Sequence, residues 1–267
     1  MPENSAIDLR KDLDLALRLA DEADGVSFPR FTSRELSVST KPDRSFVTDA
    51  DLAVERALRN VLADERPQDG VLGEEFGTEG DAHRQWIIDP IDGTSNFLRG
   101  VPVWATLIAL AIDGVPQIGV VSAPALQRRW WAASGQGAWT NTLSEPRRLA
   151  VSNVSDLAEA SLSFQSIGQW EDAGRLEDLL ALRRDVWRDR AYGDMWAYML
   201  LAEGALDITA EFDVKEYDLA ALVPIVTEAG GRFTDIDGAP AIDRLSSLAT
   251  NGHLHEAVLA HLHSQEK

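Results

Sequence analysis

In the stretch WIIDPIDGTSNF, residues 86–97, Asp89 and Asp92 stand three apart at the end of an apolar run and are followed at once by Gly-Thr-Ser-Asn. Carboxylates a few ångström apart raise each other's pKa unless a cation occupies the space between them. Two further acidic positions share this setting. Glu74, in the Gly73-Glu74-Glu75 triplet after DGVL, and Asp218, at the start of DLAALV, also lie at the ends of apolar segments. A strand or helix terminus there delivers a side chain to a cleft. Taken singly these are ordinary turn formers and caps: Asp218 suits an N-cap, and Asp92-Gly93 is a common turn pair. Together they exceed what capping needs. A hard divalent ion, bound by carboxylates, water and a substrate phosphate, accounts for them, and Mg2+ is the expected ion.

The Gly-Thr-Ser-Asn segment is expected to open a short helix at SNFLRG, whose free N–H groups and dipole would receive an anion beside the metal. That combination suits hydrolysis of a phosphate monoester, a very slow reaction unaided, in which two metal ions stabilise both attacking and leaving oxygens. Other chemistry is poorly supplied. The chain has no cysteine, which excludes disulfides, thiolate zinc sites and cysteine nucleophiles. Its five histidines, His83, His253, His255, His261 and His263, fall mostly near the C-terminus without a paired nucleophile, and read as surface residues.

The elements that must position these groups follow from periodicity. Residues 8–24 read as an amphipathic helix closed by Gly25, and a second helix starts near TDADLAVERALRNVL with Thr48 and Asp49 as cap oxygens. WIIDP reads as a buried strand stopped by Pro90. WATLIALAID, QIGVVSAPA and RRWWAAS read as consecutive strands. The polar segment 141–155 suggests a boundary, giving an N-terminal α+β half over 1–145 and a C-terminal α/β half over 146–267. The second half alternates strand-like ASLSF and DITAEF with helical RLEDLLALRR, MWAYMLLAEGAL, YDLAALVPIVTEAGG and a final helix at 253–263. Residues 165–180 could cover a pocket, with Trp170 reaching a planar ring.

Composition narrows the partners. The 267 residues are 45% hydrophobic and carry a formal net charge of −19, so a folded protein that repels polyanions is expected and nucleic acid is a poor partner. Arg128 and Arg129 in LQRRWW read as part of an alternating strand rather than a basic patch. No run of about 18 apolar residues occurs and the N-terminal MPENSAIDLRKDLD is too polar for a signal peptide, so no membrane span and a cytoplasmic location are expected.

GEE at 73–75, DPIDGTSNF at 89–97 and YDLAA at 217–221 before EAGG, with VTDAD upstream, resemble the inositol monophosphatase superfamily of Mg2+-dependent phosphatases in order and spacing. The resemblance implies an α/β (α+β) fold, a five-layer α-β-α-β-α sandwich, usually dimeric. It assigns Glu74, Asp89 and the carbonyl of Ile91 to one metal, and Asp89, Asp92 and Asp218 to a second. A third, weaker Mg2+ would sit near Glu74. Asp51 and Thr94 match the pair that orients the attacking water, and the amides of Gly93 and Thr94 would receive the phosphate. Ser95 and Tyr217 depart from the usual threonine and tryptophan while keeping size or polarity. Lys41 is one residue out of step with a loop lysine of the family and is left out of the site.

The alcohol is read elsewhere. Glu211 occupies the position that contacts inositol hydroxyls in the family, and Asp194 begins the substrate-facing helix or caps it. Two acidic groups there favour a substrate bearing a cation. RGVPVWATLIAL, VVSAPALQRRWWAA and RAYGD look most similar to actinobacterial histidinol-phosphate phosphatases within the superfamily, which implies L-histidinol phosphate as substrate. Inositol 1-phosphate or a sugar phosphate is the alternative. A metal- or phosphoester-binding regulatory protein on the same fold would keep the ligands but have no use for Asp51 and Thr94. A haloacid-dehalogenase-type phosphatase separates its two aspartates by one residue, whereas here Pro90 and Ile91 intervene.

Overall fold

Every residue of the segment Ala105–Ile112 is buried, so the sheet that contains it must be covered on both faces. The computed structural model describes residues 9–34, 36–40, 46–80, 83–141, 145–240 and 242–263. The first part of the chain forms α1 (Arg10–Ser33), β1 (Val38–Thr40), β2 (Phe46–Thr48), α2 (Asp49–Glu65), β3 (Gly70–Gly73), β4 (Gly77–Glu79) and β5 (Arg84–Asp92). Then come α3 (Thr94–Arg99), β6 (Ala105–Ile112), β7 (Val115–Ala123), β8 (Arg128–Ala133), β9 (Ala138–Asn141) and β10 (Pro146–Arg148). The rest forms β11 (Ser161–Ser163), α4 (Ile167–Asp172), α5 (Leu176–Asp185), β12 (Arg188–Arg190), α6 (Asp194–Ala202) and β13 (Ile208–Phe212). It ends with α7 (Glu216–Leu219), α8 (Leu222–Glu228), β14 (Arg232–Thr234), β15 (Ser246–Thr250) and α9 (His255–His263).

The larger sheet has the order β10-β9-β8-β7-β6-β5-β3-β4, and the smaller β12-β11-β13-β15-β14. On the outer face of the larger sheet, Leu15 and Leu19 of α1 and Val54 and Leu58 of α2 pack on Ile88, Ile108 and Val120. On its inner face, Met199 of α6 and Ile225 of α8 share one core with Leu107, Val121 and Trp130, and with Phe233 and Ala249 of the smaller sheet. The far side of the smaller sheet is closed by Trp170, Leu182 and Val258 from α4, α5 and α9. Helices and sheets thus alternate in five layers. The larger sheet takes in Pro146–Arg148, so its last strand lies just beyond residue 145.

Local structure departs from the sequence expectations at three points. The first helix runs through Gly25 and Pro29 to Ser33, because Phe31 packs at 5.5 Å from the Phe97 ring and 5.3 Å from Trp104. That burial outweighs the weak helix preference of glycine, about 1 kcal/mol. The expected single helix over YDLAALVPIVTEAGG is instead α7 and α8, broken after Leu219.

The third departure is Pro90. β5 continues past it to Asp92, with a register shift against β6 between the pairs Asp89–Leu107 and Asp92–Ala105. Pro90 and Ile91 therefore occupy a bulge, where a missing N–H removes no ladder bond. The bulge has a further effect. Residues three apart on a regular strand face opposite sides of the sheet, yet Asp89 and Asp92 oppose partners two apart and so face the same side.

Candidate active site

The bulge sends Asp89 and Asp92 into a cavity of about 300 Å³ that also receives Glu74, Asp194, Glu211 and Asp218. Glu74 comes from the turn after β3, held by its own N–H bond to the Ile88 carbonyl at 3.2 Å. Asp218 sits in α7 and accepts the Lys215 N–H at 2.7 Å, so it closes its helix from inside the first turn rather than as the N-cap. Ligand oxygens of Asp89, Asp92 and Asp218 all lie within 4.8 Å of one another. Asp89 also accepts the Ile91 N–H at 3.0 Å, and Ile91 lines the same cavity.

The electrostatics are those of a cation site. Among the described residues, no Lys, Arg or His lines the cavity. Burial, followed by Glu74, Asp92 and Asp218, pushes the Asp89 carboxyl well above the usual range. Burial and then Asp194 do the same to Asp92, partly opposed by the Met195 N–H. Asp218 is raised to about 7, mainly by burial and partly by Glu74, with the Lys215 N–H opposing. A cavity of buried carboxylates without basic side chains repels an anion unless cations neutralise it. The donor set is all oxygen, which fits a hard divalent ion such as Mg2+.

Beside the cluster, Thr48 and Asp51 form a capping box at the start of α2. Asp51 Oδ2 accepts both the N–H and the hydroxyl of Thr48, at 2.8 and 2.5 Å, and Thr94 Oγ1 lies 3.3 Å from Asp51 Oδ1 and 3.0 Å from the Ile91 carbonyl. Asp51 thus has the structural use that the stripe of α2 did not suggest, and its pKa is raised, chiefly by burial. Gly93 precedes α3 with φ +82, and a Cβ there would meet the Val103 carbonyl at 3.1 Å. Glycine permits both the left-handed turn and this approach. The first N–H groups of α3 have no intrahelical acceptor.

The opposite wall is built from residues far apart in the chain. Asp194 is the first residue of α6, at φ +47. Its carboxylate accepts Asn96 Nδ2 at 2.9 Å and Gln165 Nε2 at 3.3 Å, and its own N–H bonds Gln165 Oε1 at 2.9 Å. It faces the cavity and does not cap α6; the Met195 N–H at that helix start goes to Asp92 at 2.8 Å. Glu211 accepts the Tyr198 hydroxyl, which also bonds Ser247. Burial is the main reason its pKa rises to about 8.

The segment 165–180, expected to cover a pocket, does reach the cavity, through Gln165 and Gln169, which the sequence did not single out; Asp213, Tyr198 and the apolar lining residues Phe46, Met195, Val214 and Leu222 were not anticipated. Gln165 and Asp213 have φ of +56 and +58, a backbone state that costs energy for non-glycine residues and recurs at functional sites. Their residue types alone carry no such signal. Trp170, expected to reach a ligand, is fully buried in the outer core and bonds the Phe164 carbonyl; its neighbours Gln165 and Gln169 reach the cavity instead. His255, expected at the surface, is fully buried. Lys41 lies outside the described residues.

The profile of the inositol monophosphatase family matches residues 8–267. The chain belongs to the inositol monophosphatase family. It is 56% identical to a histidinol-phosphatase of Mycobacterium tuberculosis over 95% of this chain and 98% of that protein. A histidinol-phosphatase of Streptomyces coelicolor is 51% identical over 97% and 99%. Among solved structures, an inositol monophosphatase from Zymomonas mobilis superposes with a TM-score of 0.85 at 35% identity, covering 96% of this chain and 99% of that one. As a member of this family the chain is a phosphoric monoester hydrolase. Among the described residues, no helix is long and apolar enough to cross a membrane.

Proposed function

We propose that the chain hydrolyses L-histidinol phosphate to L-histidinol and phosphate with Mg2+, as a step in histidine biosynthesis. The observation that carries the substrate is the acidic wall beyond the cation cluster, where Asp194, Glu211 and Asp213 line the same cavity. An ammonium or imidazolium gains charge-assisted hydrogen bonds there, which a neutral polyol does not. The names of the two relatives that match nearly the whole chain support the same reading.

Glu74, Asp89, Asp92, Asp218 and the Ile91 carbonyl would hold two or three Mg2+ ions. When bound, these supply Lewis-acid stabilisation of the phosphoryl oxygens and lower the pKa of water. Thr94 Oγ1, shared between Asp51 and the Ile91 carbonyl, orients the attacking water; Asp51 accepts its proton as the water oxygen bonds to phosphorus and the ester P–O bond breaks, and the leaving alkoxide takes its proton from a second water. The N–H groups of Gly93 and Thr94 take the phosphate. Asp194 is held by Asn96 and Gln165, and Glu211 by Tyr198, so both meet the alcohol in fixed orientation. The same reading makes the protein a cytoplasmic homodimer.

The test is phosphate release from L-histidinol phosphate and from inositol 1-phosphate, side by side, with millimolar Mg2+ and then EDTA. A kcat/KM about a hundredfold higher for histidinol phosphate, about 2.7 kcal/mol, and abolished by EDTA is the expected result. Comparable rates would move the substrate to inositol or general phosphate esters, and EDTA-resistant turnover would remove the metal.

A further inference from the structure

Glu55 lies on α2 one turn beyond Asp51 and is fully buried, yet it does not line the cavity. Its carboxylate accepts the N–H of Glu75 at 2.7 Å and that of Phe76 at 3.2 Å. Arg59, one turn further, donates to Glu55 Oε1 at 2.8 Å and to the Gly77 carbonyl at 2.5 Å. The two side chains therefore grip the turn between β3 and β4 by its N–H groups on one side and its carbonyl on the other. Glu74 stands within that turn. The Phe76 ring is covered by the guanidinium groups of Arg56 and Arg59, 5.3 and 5.9 Å from its centroid.

Gly73 records how closely this grip is fitted. A Cβ at Gly73 would fall 1.9 Å from Glu55 Oε1, so the carboxylate occupies the volume a side chain would need. The backbone at Gly73 is not left-handed, and close approach alone explains the glycine of the GEE triplet.

We propose that Glu55 is a positioning residue for cation binding. By fixing the Glu74 turn to the helix that carries Asp51, it sets the affinity of the ion that Glu74 holds without touching that ion or the substrate. This rests on the reading of Glu74 as a metal ligand. Holding a ligand in register before the ion arrives removes ordering from the binding step, and loss of such an outer partner typically weakens metal affinity on the order of 10- to 100-fold.

The experiment is calorimetric titration of EDTA-treated, dialysed protein with Mg2+ alone, alongside thermal unfolding. Glu55→Gln replaces one acceptor oxygen by an NH2 facing an N–H. It is expected to raise the Mg2+ Kd by about tenfold or more, while kcat at saturating Mg2+ stays close to wild type. Arg59→Gln frees the Gly77 carbonyl but keeps the two N–H bonds, and is expected to raise Kd about threefold. It carries the test if Glu55→Gln does not fold. A folded variant with a lowered Tm and an unchanged Mg2+ Kd would overturn the proposal, since a purely structural carboxylate moves Tm alone. Glu74→Gln separates the two readings: if it binds Mg2+ as wild type does, the metal assignment itself fails whatever Glu55 does.

Discussion

Acid should unfold this protein partly through one histidine. His255 begins α9 and packs against β14 and β15, with its Nε2 3.1 Å from Thr234 Oγ1 and its Nδ1 3.1 Å from Thr250 Oγ1. Thr234 already donates to the Asp235 carbonyl at 2.7 Å, so it accepts from Nε2–H, and Thr250, which receives the Gly252 N–H at 3.1 Å, donates to Nδ1. The tautomer assigned from this network is neutral, and an imidazolium would leave the Thr250 hydroxyl proton without its acceptor. Burial, then Arg232, lower the pKa from 6.5 to about 4, with Glu256 opposing. The unfolded chain takes up a proton below pH 6.5 that the folded one refuses until about pH 4. Stability is therefore full above 6.5 and falls as pH drops through that window, at up to 1.4 kcal/mol per unit and about 3 kcal/mol in all. Glu211 and Asp218, raised to about 8 and about 7, act with the opposite sign, losing stability as pH rises. They are common to wild type and variant and cancel in a difference. Urea unfolding of wild type and His255→Gln from pH 8 to 4 should give curves that converge by about 3 kcal/mol on acidification. Parallel curves would refute the reasoning, as would a His255 ring signal that titrates near pH 6.5 in NMR.

Three other outcomes follow from the geometry. Asp89→Asn should abolish tight Mg2+ binding and lower kcat/KM on the order of 10²-fold or more; near-normal turnover at millimolar Mg2+ would sink the metal assignment. Glu211→Gln should raise KM for histidinol phosphate by about 10- to 100-fold, the worth of a charge-assisted hydrogen bond, and leave a neutral sugar phosphate nearly unaffected. Equal effects on both substrates would count against a cation at Glu211. Phe97→Ala, which empties the centre of the Phe31–Phe97–Trp104 cluster behind α3, should cost about 3–5 kcal/mol in denaturant unfolding; a loss below 1 kcal/mol would mean that the cluster does not hold α3 in place.

Where the sequence was legible, a local pattern and its structural cause coincided. The cap at Thr48 and the buried stripe of α2 are both short-range features, and the carboxylates of the DPIDGT segment stand at a strand end as their context implied. What escaped was set by distant packing. Pro90 should end a strand by local rules, but a bulge absorbs it, and Gly25 should end a helix, but Phe31 finds two aromatic partners beyond it. His255 resembles the other C-terminal histidines in sequence, and only the two threonines on neighbouring strands distinguish it. Gln165 and Asp213 reach the cavity through left-handed backbone that no residue type announces. Glu55 was hidden for another reason: it fits the polar pattern of a surface helix, and its partners are backbone N–H groups, which every sequence possesses.

The bulge in β5 also bears on how the molecule holds together. It presents Asp89 and Asp92 from the larger sheet, whereas Asp218 arrives from the segment that follows β13 of the smaller one. A cation held between them would be a staple across chain segments that are remote in sequence. Its binding free energy would add to the stability of the folded state, about 2.7 kcal/mol when free ion exceeds its Kd a hundredfold. Lesions in the cation site would then register as shorter-lived protein as well as slower catalyst, and magnesium supply would govern persistence and turnover through the same carboxylates.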